Sequence, residues 1–164
     1  MPDGLVIRVS VPEDLPTLQR IRAAAFAPVF RSFRMAVGPD IAGVAFAHEE
    51  ADQAKLLDAL CRADSDHTIL VAEVEGAVIG FVSFRVDAVR GVGEIGLNAV
   101  HPDHTGQGVG TRMYLRALEA MRRSGATVAT VGTGGDAAHA PARRAYEKAG
   151  FAAGIPSVHL YRLL

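Results

Sequence analysis

Cysteine is nearly absent: Cys61 is the only one in 164 residues. One thiol excludes an intramolecular disulfide and a cysteine-based zinc site, and it points to a reducing, cytoplasmic compartment. Tryptophan is missing and aromatics make up only 6% of the chain. Hydrophobic residues still reach 49%, enough for a real core and too many for a disordered segment. Neither sign of charge dominates, since 17 basic side chains stand against 18 acidic ones for a net charge of −1. That balance gives no footing for general nucleic-acid binding. The longest strongly apolar run, Ala77 to Phe84, falls well short of the ~20 residues that span a bilayer. Met-Pro-Asp-Gly at the start lacks the basic region and apolar core of a signal peptide. The length fits one domain over residues 1–164.

What is present is a clear succession of periodic segments. Leu5 to Val11 alternates as a strand does, and Pro12, Glu13 and Asp14 suit a helix start, with Leu15, Leu18, Ile21 and Ala25 carrying helical spacing to about Phe26. Pro28, Gly38 and Pro39 punctuate a less regular stretch to Gly43. Helical periodicity returns from about Val44 to Ala63, with Leu56, Leu57 and Leu60 toward the core. Thr68–Glu73 and Val78–Val86 read as a hairpin about Glu75-Gly76, and Val92–Val100 as a further strand. Val109–Arg123 is the clearest helix, with Val109, Met113, Ala117 and Met121 on one face. Thr127–Val131 reads as a strand, Pro141–Ala149 as a helix stopped by Gly150, and Ser157–Leu163 as a closing strand. The fold class is α/β: one mixed, mostly antiparallel sheet flanked by helices, in the order β-α-α-β-β-β-α-β-α-β.

The most informative passage runs from Val100 to Thr111, where glycines at 106, 108 and 110 lead from a strand and a proline turn into the strong helix. The first N–H groups of a helix lack internal partners and carry partial positive charge, and glycines let an anion approach them. A P-loop needs a lysine here, and none lies between Cys61 and Tyr146. The Rossmann fingerprint needs a different glycine spacing. Gly106-x-Gly108-x-Gly110 after Val100-x-Pro102 resembles the acetyl-CoA-binding motif of the GCN5-related N-acetyltransferase (GNAT) family. Ala142 to Phe151, containing Tyr146 and Gly150, is similar to that family's helix-and-tyrosine motif. The order of elements also resembles the family's over nearly the whole chain. Two positions depart from the pattern: Thr105 stands where the family has Arg or Gln, and His139 where it has Asn seven residues before the tyrosine.

The resemblance implies an enzyme that moves an acetyl group from acetyl-CoA to a primary amine by direct attack on the thioester, with no metal. It implies a phosphate cradle over Thr105, Gly106, Gln107, Gly108, Val109, Gly110 and Thr111. It further implies main-chain contacts from Asn98, Ala99 and Val100 to the acetyl carbonyl and pantetheine amides, a contact from His139 to the pantetheine arm, and a proton from Tyr146 for the departing sulfur. On spacing alone Tyr146 would read as a core aromatic. Such transfer also needs the amine deprotonated, because its unperturbed pKa of ~10 leaves it charged at neutral pH. Glu94 is the candidate base, since strand alternation sets it on the face of Asn98. Its other reading is a surface carboxylate paired with an arginine such as Arg85.

Further residues invite roles without settling them. In the family, specificity is largely set after the first helix, where Phe30, Phe33 and Met35 suggest an apolar wall and Arg34 a receiver for a substrate carboxylate or phosphate; packing onto the sheet explains the same residues. Gly132 to Asp136 reads as an active-site rim opening toward His139. His101, Asp103 and His104 read as a solvated turn, and Cys61 as core filler. The expected partner is a small-molecule amine, with no nucleic acid and no membrane, and the resemblance allows a homodimer. The alternatives are a non-catalytic acyl-CoA-binding regulatory module and a protein N-acetyltransferase.

Overall fold

The turn expected at Glu75-Gly76 forms. In the computed structural model, which describes residues 4–164, both residues take positive φ, 51° and 81°. Two positive φ values at the centre of a two-residue loop suit the right-handed twist of the flanking strands. That turn joins β2 (Thr68–Val74) to β3 (Ala77–Asp87). β1 (Val6–Val9) pairs antiparallel with β2, and β4 (Val92–Val100) antiparallel with β3. β5 (Val128–Val131) lies parallel to β4, and the five-stranded order is β1-β2-β3-β4-β5.

Alternation along the strands feeds two cores. One face presents Leu70, Val82, Phe84 and Ile95 to Val109, Met113, Ala117 and Met121 of α4 (Val109–Arg123), with Tyr146 of α5 (Ala140–Lys148) in the same cluster. The other presents Ile69, Val71, Phe81 and Ala99 to Leu18 and Ile21 of α1 (Leu15–Val37) and to Leu57 and Leu60 of α3 (Glu49–Leu60). Each such apolar side chain taken from water stabilises the fold by about 1.5–3 kcal/mol before entropy is counted. α4 and α5 end alike: Gly125 and Gly150 adopt positive φ, and the next amides, of Ala126 and Phe151, bond back to Met121 and Tyr146. This glycine closure fixes where each chain direction turns. At the start of α1, Asp14 accepts from the Val11 N–H at 2.9 Å and from both terminal nitrogens of Arg8 at 2.7 and 3.0 Å.

Four expectations need correction. The first helix does not end near Phe26 but continues through Pro28 to Val37: proline's φ is already helical, and burial of Val29 and Phe30 beyond it offsets the lost ladder bond and the clash of its ring with the preceding turn. The break comes at Gly38 (φ 81°), followed by α2 (Pro39–Ala45), so the helix expected from Val44 to Ala63 is α3 alone. Leu56 is 49% exposed and belongs to the solvent side of α3. Residues 152–164 form neither helix nor strand, and Val158 and Leu160 stand in solvent. Alternation makes a segment fit for a pleat, but a strand also needs an edge to pair with. Among the described residues no helix is long and apolar enough to cross a membrane.

The register of β4 holds the feature that shapes the site. Val82 lies opposite Asn98 and Phe84 opposite Ile95, so Ser83 alone faces the two residues Gly96 and Leu97. This bulge reverses the alternation beyond it. Ile95 faces α4, Asn98 faces α4 and α5, and Glu94 pairs with Arg85 on the opposite face. Glu94 and Asn98 therefore do not share a face as simple alternation predicts. Ser83 is fully buried and its hydroxyl donates to the Leu97 carbonyl at 2.9 Å, while a Cβ on Gly96 would meet that hydroxyl at 2.7 Å. Gly96→Ala is expected to cost about 1–3 kcal/mol in urea unfolding. In a Ser83→Ala background the same change should cost less, and equal costs in both backgrounds would show that the crowding is not what matters.

Candidate active site

β4 and β5 pair only from Val92 to Ile95 with Val128 to Val131. Beyond the bulge, residues 96–100 have no strand on that side among the described residues, so the edge there offers amide and carbonyl groups to an extended, amide-bearing chain. Asn98, Ala99 and Val100 occupy this edge. Ala99 packs toward α1 and Val100 toward α4.

The Asn98 side chain is the hub that sequence reasoning missed, having assigned this position a main-chain role only. Its Oδ1 accepts from the Tyr114 hydroxyl at 2.8 Å, and its Nδ2 donates to the Tyr146 hydroxyl oxygen at 3.0 Å and to the Gly96 carbonyl at 2.9 Å. The two tyrosine rings lie 4.5 Å apart between centroids, and both are buried. Tyr114 sits beside Met113 on the apolar side of α4, where sequence pattern reads it as packing. The usable signal was that a buried tyrosine hydroxyl seeks a partner. Burial pushes the Tyr146 hydroxyl above its ordinary pKa, partly offset by hydrogen bonds with Asn98 and Tyr114, and burial raises Tyr114 as well. The hydroxyl of Tyr146 is thus protonated at neutral pH, while the amide donated to its oxygen supports the charge left when that proton departs.

From the end of β4 the chain turns through Pro102–His104 to the start of α4. The Thr105 hydroxyl donates to the Pro102 carbonyl at 2.8 Å and Gln107 Nε2 to the Asp103 carbonyl at 3.3 Å, so both side chains brace the turn. Gly106 and Gly108 have φ of 75° and 80°, which L side chains resist, and Gly108 is the residue that opens α4. Val109 is buried and anchors the turn, and Val109, Gly110 and Thr111 form the first turn, whose N–H groups have no partner within the helix. No acidic residue lies in that turn to neutralise it. Backbone cradle and open strand edge together fit a pyrophosphate followed by a chain of amides, the build of coenzyme A.

The Acetyltransferase (GNAT) family profile matches residues 32–151. The chain belongs to the GNAT acetyltransferase family. Among solved structures, a GNAT family acetyltransferase from Brucella melitensis in complex with acetyl-CoA is 25% identical, with 92% of this chain and 84% of that one covered and a TM-score of 0.63. A PaiA N-acetyltransferase from Thermoplasma acidophilum in complex with coenzyme A is 20% identical over 94% of this chain and 93% of that one, with a TM-score of 0.71. AAC(6')-Iy, in complex with the bisubstrate analogue CoA-S-monomethyl-acetylneamine, is 15% identical over 99% and 100%, with a TM-score of 0.65. No curated protein matches the chain. The GNAT fold is present apart from the closing strand.

The remaining candidates fall around this GNAT centre in different ways. Glu94 is half-exposed, and its Oε2 accepts two bonds from Arg85, at 2.6 and 2.9 Å. Phe30 and Arg34 line an open groove of about 820 Å³ between α1 and α2, with Met35 and Phe46. Arg34 is ion-paired with Glu49 at 2.6 Å, so it does not stand free as the receiver expected from the sequence. Phe33 points elsewhere, stacking on His139 at 5.8 Å and lying 5.9 Å from Phe46, which in turn meets Tyr161 of the tail at 5.6 Å. His139, expected to touch the pantetheine arm, bonds Asp136. Cys61 packs against the α1–α3 core, and burial raises its thiol, the reverse of an activated nucleophile.

The tyrosine pair has a measurable consequence. A group whose pKa is raised by folding adds stability that is complete below its unfolded value, near 10.0 for tyrosine, and lost as pH rises through the folded value. Stability should therefore fall above about pH 10, with phenolate absorbance from the pair appearing together with unfolding. Tyr114→Phe should weaken this alkaline loss; an unchanged profile would clear the pair of responsibility.

Proposed function

We propose that this protein is an acetyl-CoA-dependent N-acetyltransferase acting on the primary amine of a small molecule by direct attack on the thioester. The observation that carries the reading is the convergence of three features: the cradle at the start of α4, the unpaired edge of β4, and the buried Tyr146 hydroxyl held by Asn98. When bound, acetyl-CoA supplies the activated acetyl group. Residues 98–100 orient its carbonyl and amides through their main chain, the amides of Val109 to Thr111 receive its phosphates, and Tyr146 gives a proton to the departing sulfur. The α1–α2 groove, with Phe30 and Arg34 on its wall, suits a compact acceptor better than a long peptide. The bisubstrate analogue seen in AAC(6')-Iy lends support to an amine of that kind. A single unpaired cysteine fits a cytoplasmic setting.

The test is a thermal-shift series with acetyl-CoA, CoA, ATP and NAD, followed by thiol release with small amines and with lysine peptides. A CoA species at 100 times its Kd should add ~2.7 kcal/mol of stability, with no such gain from ATP or NAD. Tyr146→Phe should lower kcat by roughly 10²–10⁴ while CoA still binds. CoA binding without turnover of any amine would leave a regulatory acyl-CoA-binding module as the reading. Turnover of lysine peptides alone would move the substrate class to protein amines.

A further inference from the structure

Asp136 and His139, the second of which the family resemblance gives a contact with the pantetheine arm, form a further polar centre. Asp136 Oδ1 and His139 Nδ1 lie 2.5 Å apart. The other carboxylate oxygen accepts from the Ser32 hydroxyl of α1 and from the Ala138 N–H, each at 3.2 Å. Burial alone would raise the Asp136 carboxyl, yet the bonds from His139 and Ser32 outweigh it and hold the group below its ordinary value. An ionised carboxylate only accepts hydrogen bonds, so the shared proton belongs to Nδ1, and Nε2 is the ring nitrogen left to exchange a proton with a ligand. Among the described residues nothing hydrogen-bonds that nitrogen.

The surroundings are built for the pair. The Phe33 ring covers one face of the imidazole, and the side chain of His139 is mostly buried. Arg143 donates to the carbonyls of Gly134 and Asp136 at 2.5 and 2.7 Å, bracing the loop from α5. A Cβ on Gly134 would collide with Asp136 Oδ1 and His139 Nδ1 together, so the glycine leaves the space that their bond occupies. The charged groups facing the ring are thus the Asp136 carboxylate and, behind the loop, the Arg143 guanidinium. The α1 side contributes only Ser32 and Phe33. His139 caps the start of α5 and meets α1 through Phe33, whereas Tyr146 lies further along the same helix and packs on Tyr114 of α4 and Asn98 of β4.

We infer that His139, held in one tautomer by Asp136, is the base that takes the proton from the incoming ammonium. This rests on the acetyltransferase reading above. Nε2 receives the first proton and passes it to solvent. The freed amine lone pair forms the C–N bond as the C–S bond breaks, and the sulfur takes a proton from Tyr146. The second proton of the amine nitrogen returns to Tyr146 through water, so the products are amide, thiol and one released proton. Asp136 is a positioning residue, because it acts only through the ring. Glu94, paired with Arg85 farther back on β4, is not needed for this step.

The deciding experiment uses the full chain with His139→Gln and Asp136→Asn, variants that keep a hydrogen-bonding side chain at each position. In the ligand-free protein, ¹⁵N spectra of the neutral ring should show the proton on Nδ1, and Asp136→Asn should redistribute it. His139→Gln should bind CoA within about tenfold of wild type in calorimetry, lose kcat by roughly 10²–10⁴ and lose the acidic limb of the kcat profile, whereas Asp136→Asn should shift that limb. A proton on Nε2 in the unmodified protein, or a His139→Gln enzyme with normal kcat and an intact acidic limb, overturns the assignment and leaves the acetyltransferase reading standing. CoA binding with no turnover in wild type sinks both.

Discussion

Parallel pairing between β4 and β5 lasts only from Val92 to Ile95, and the rest of β4 keeps one edge of its backbone unclaimed. An unpaired edge inside a protein is costly unless water or a ligand satisfies its amides and carbonyls. The bulge at Gly96 and Leu97 is what makes the opening useful. It turns Asn98 toward α4 and α5, where two tyrosine hydroxyls meet one amide. Without the extra residue, Asn98 would face α1 and the hydroxyls would lack their common partner.

The proposed acid and base differ in how the fold controls them. Tyr146 is held neutral by burial, and one donated amide bond supports its ionised form. His139 is controlled by a hydrogen-bonded carboxylate at a partly open rim, with a glycine making room and an arginine bracing the loop. Dry surroundings suit a proton that must wait for sulfur. A rim suits a proton that must leave for solvent.

Much of this was legible in the sequence because local and global signals agreed. β4 and α4 have the boundaries expected from patterning, and the glycines at 106 and 108 are required by their positive φ. The failures share a cause, which is that pattern reports compatibility and not partnership. Pro28 looked like a stop because local propensity cannot see the buried Val29 and Phe30 that carry α1 onward. Ser157 to Leu163 alternates but pairs with no strand, although the outer edge of β5 carries none among the described residues. The bulge is invisible to a period-2 reading, which sets Glu94 and Asn98 on one face. The role of Asn98 and the presence of Tyr114 depend on a meeting of β4, α4 and α5 that no single segment encodes.

The sheet also divides the molecule by task. The phosphate cradle and the tyrosine pair pack on the α4–α5 side, whereas the open groove belongs to α1 and α2 across the strands. Substitutions on the two sides share few partners, so their free energies add, except near Phe33 and His139 where the layers touch. A lineage can therefore exchange residues along the groove, one at a time, while the start of α4 remains intact at every intermediate.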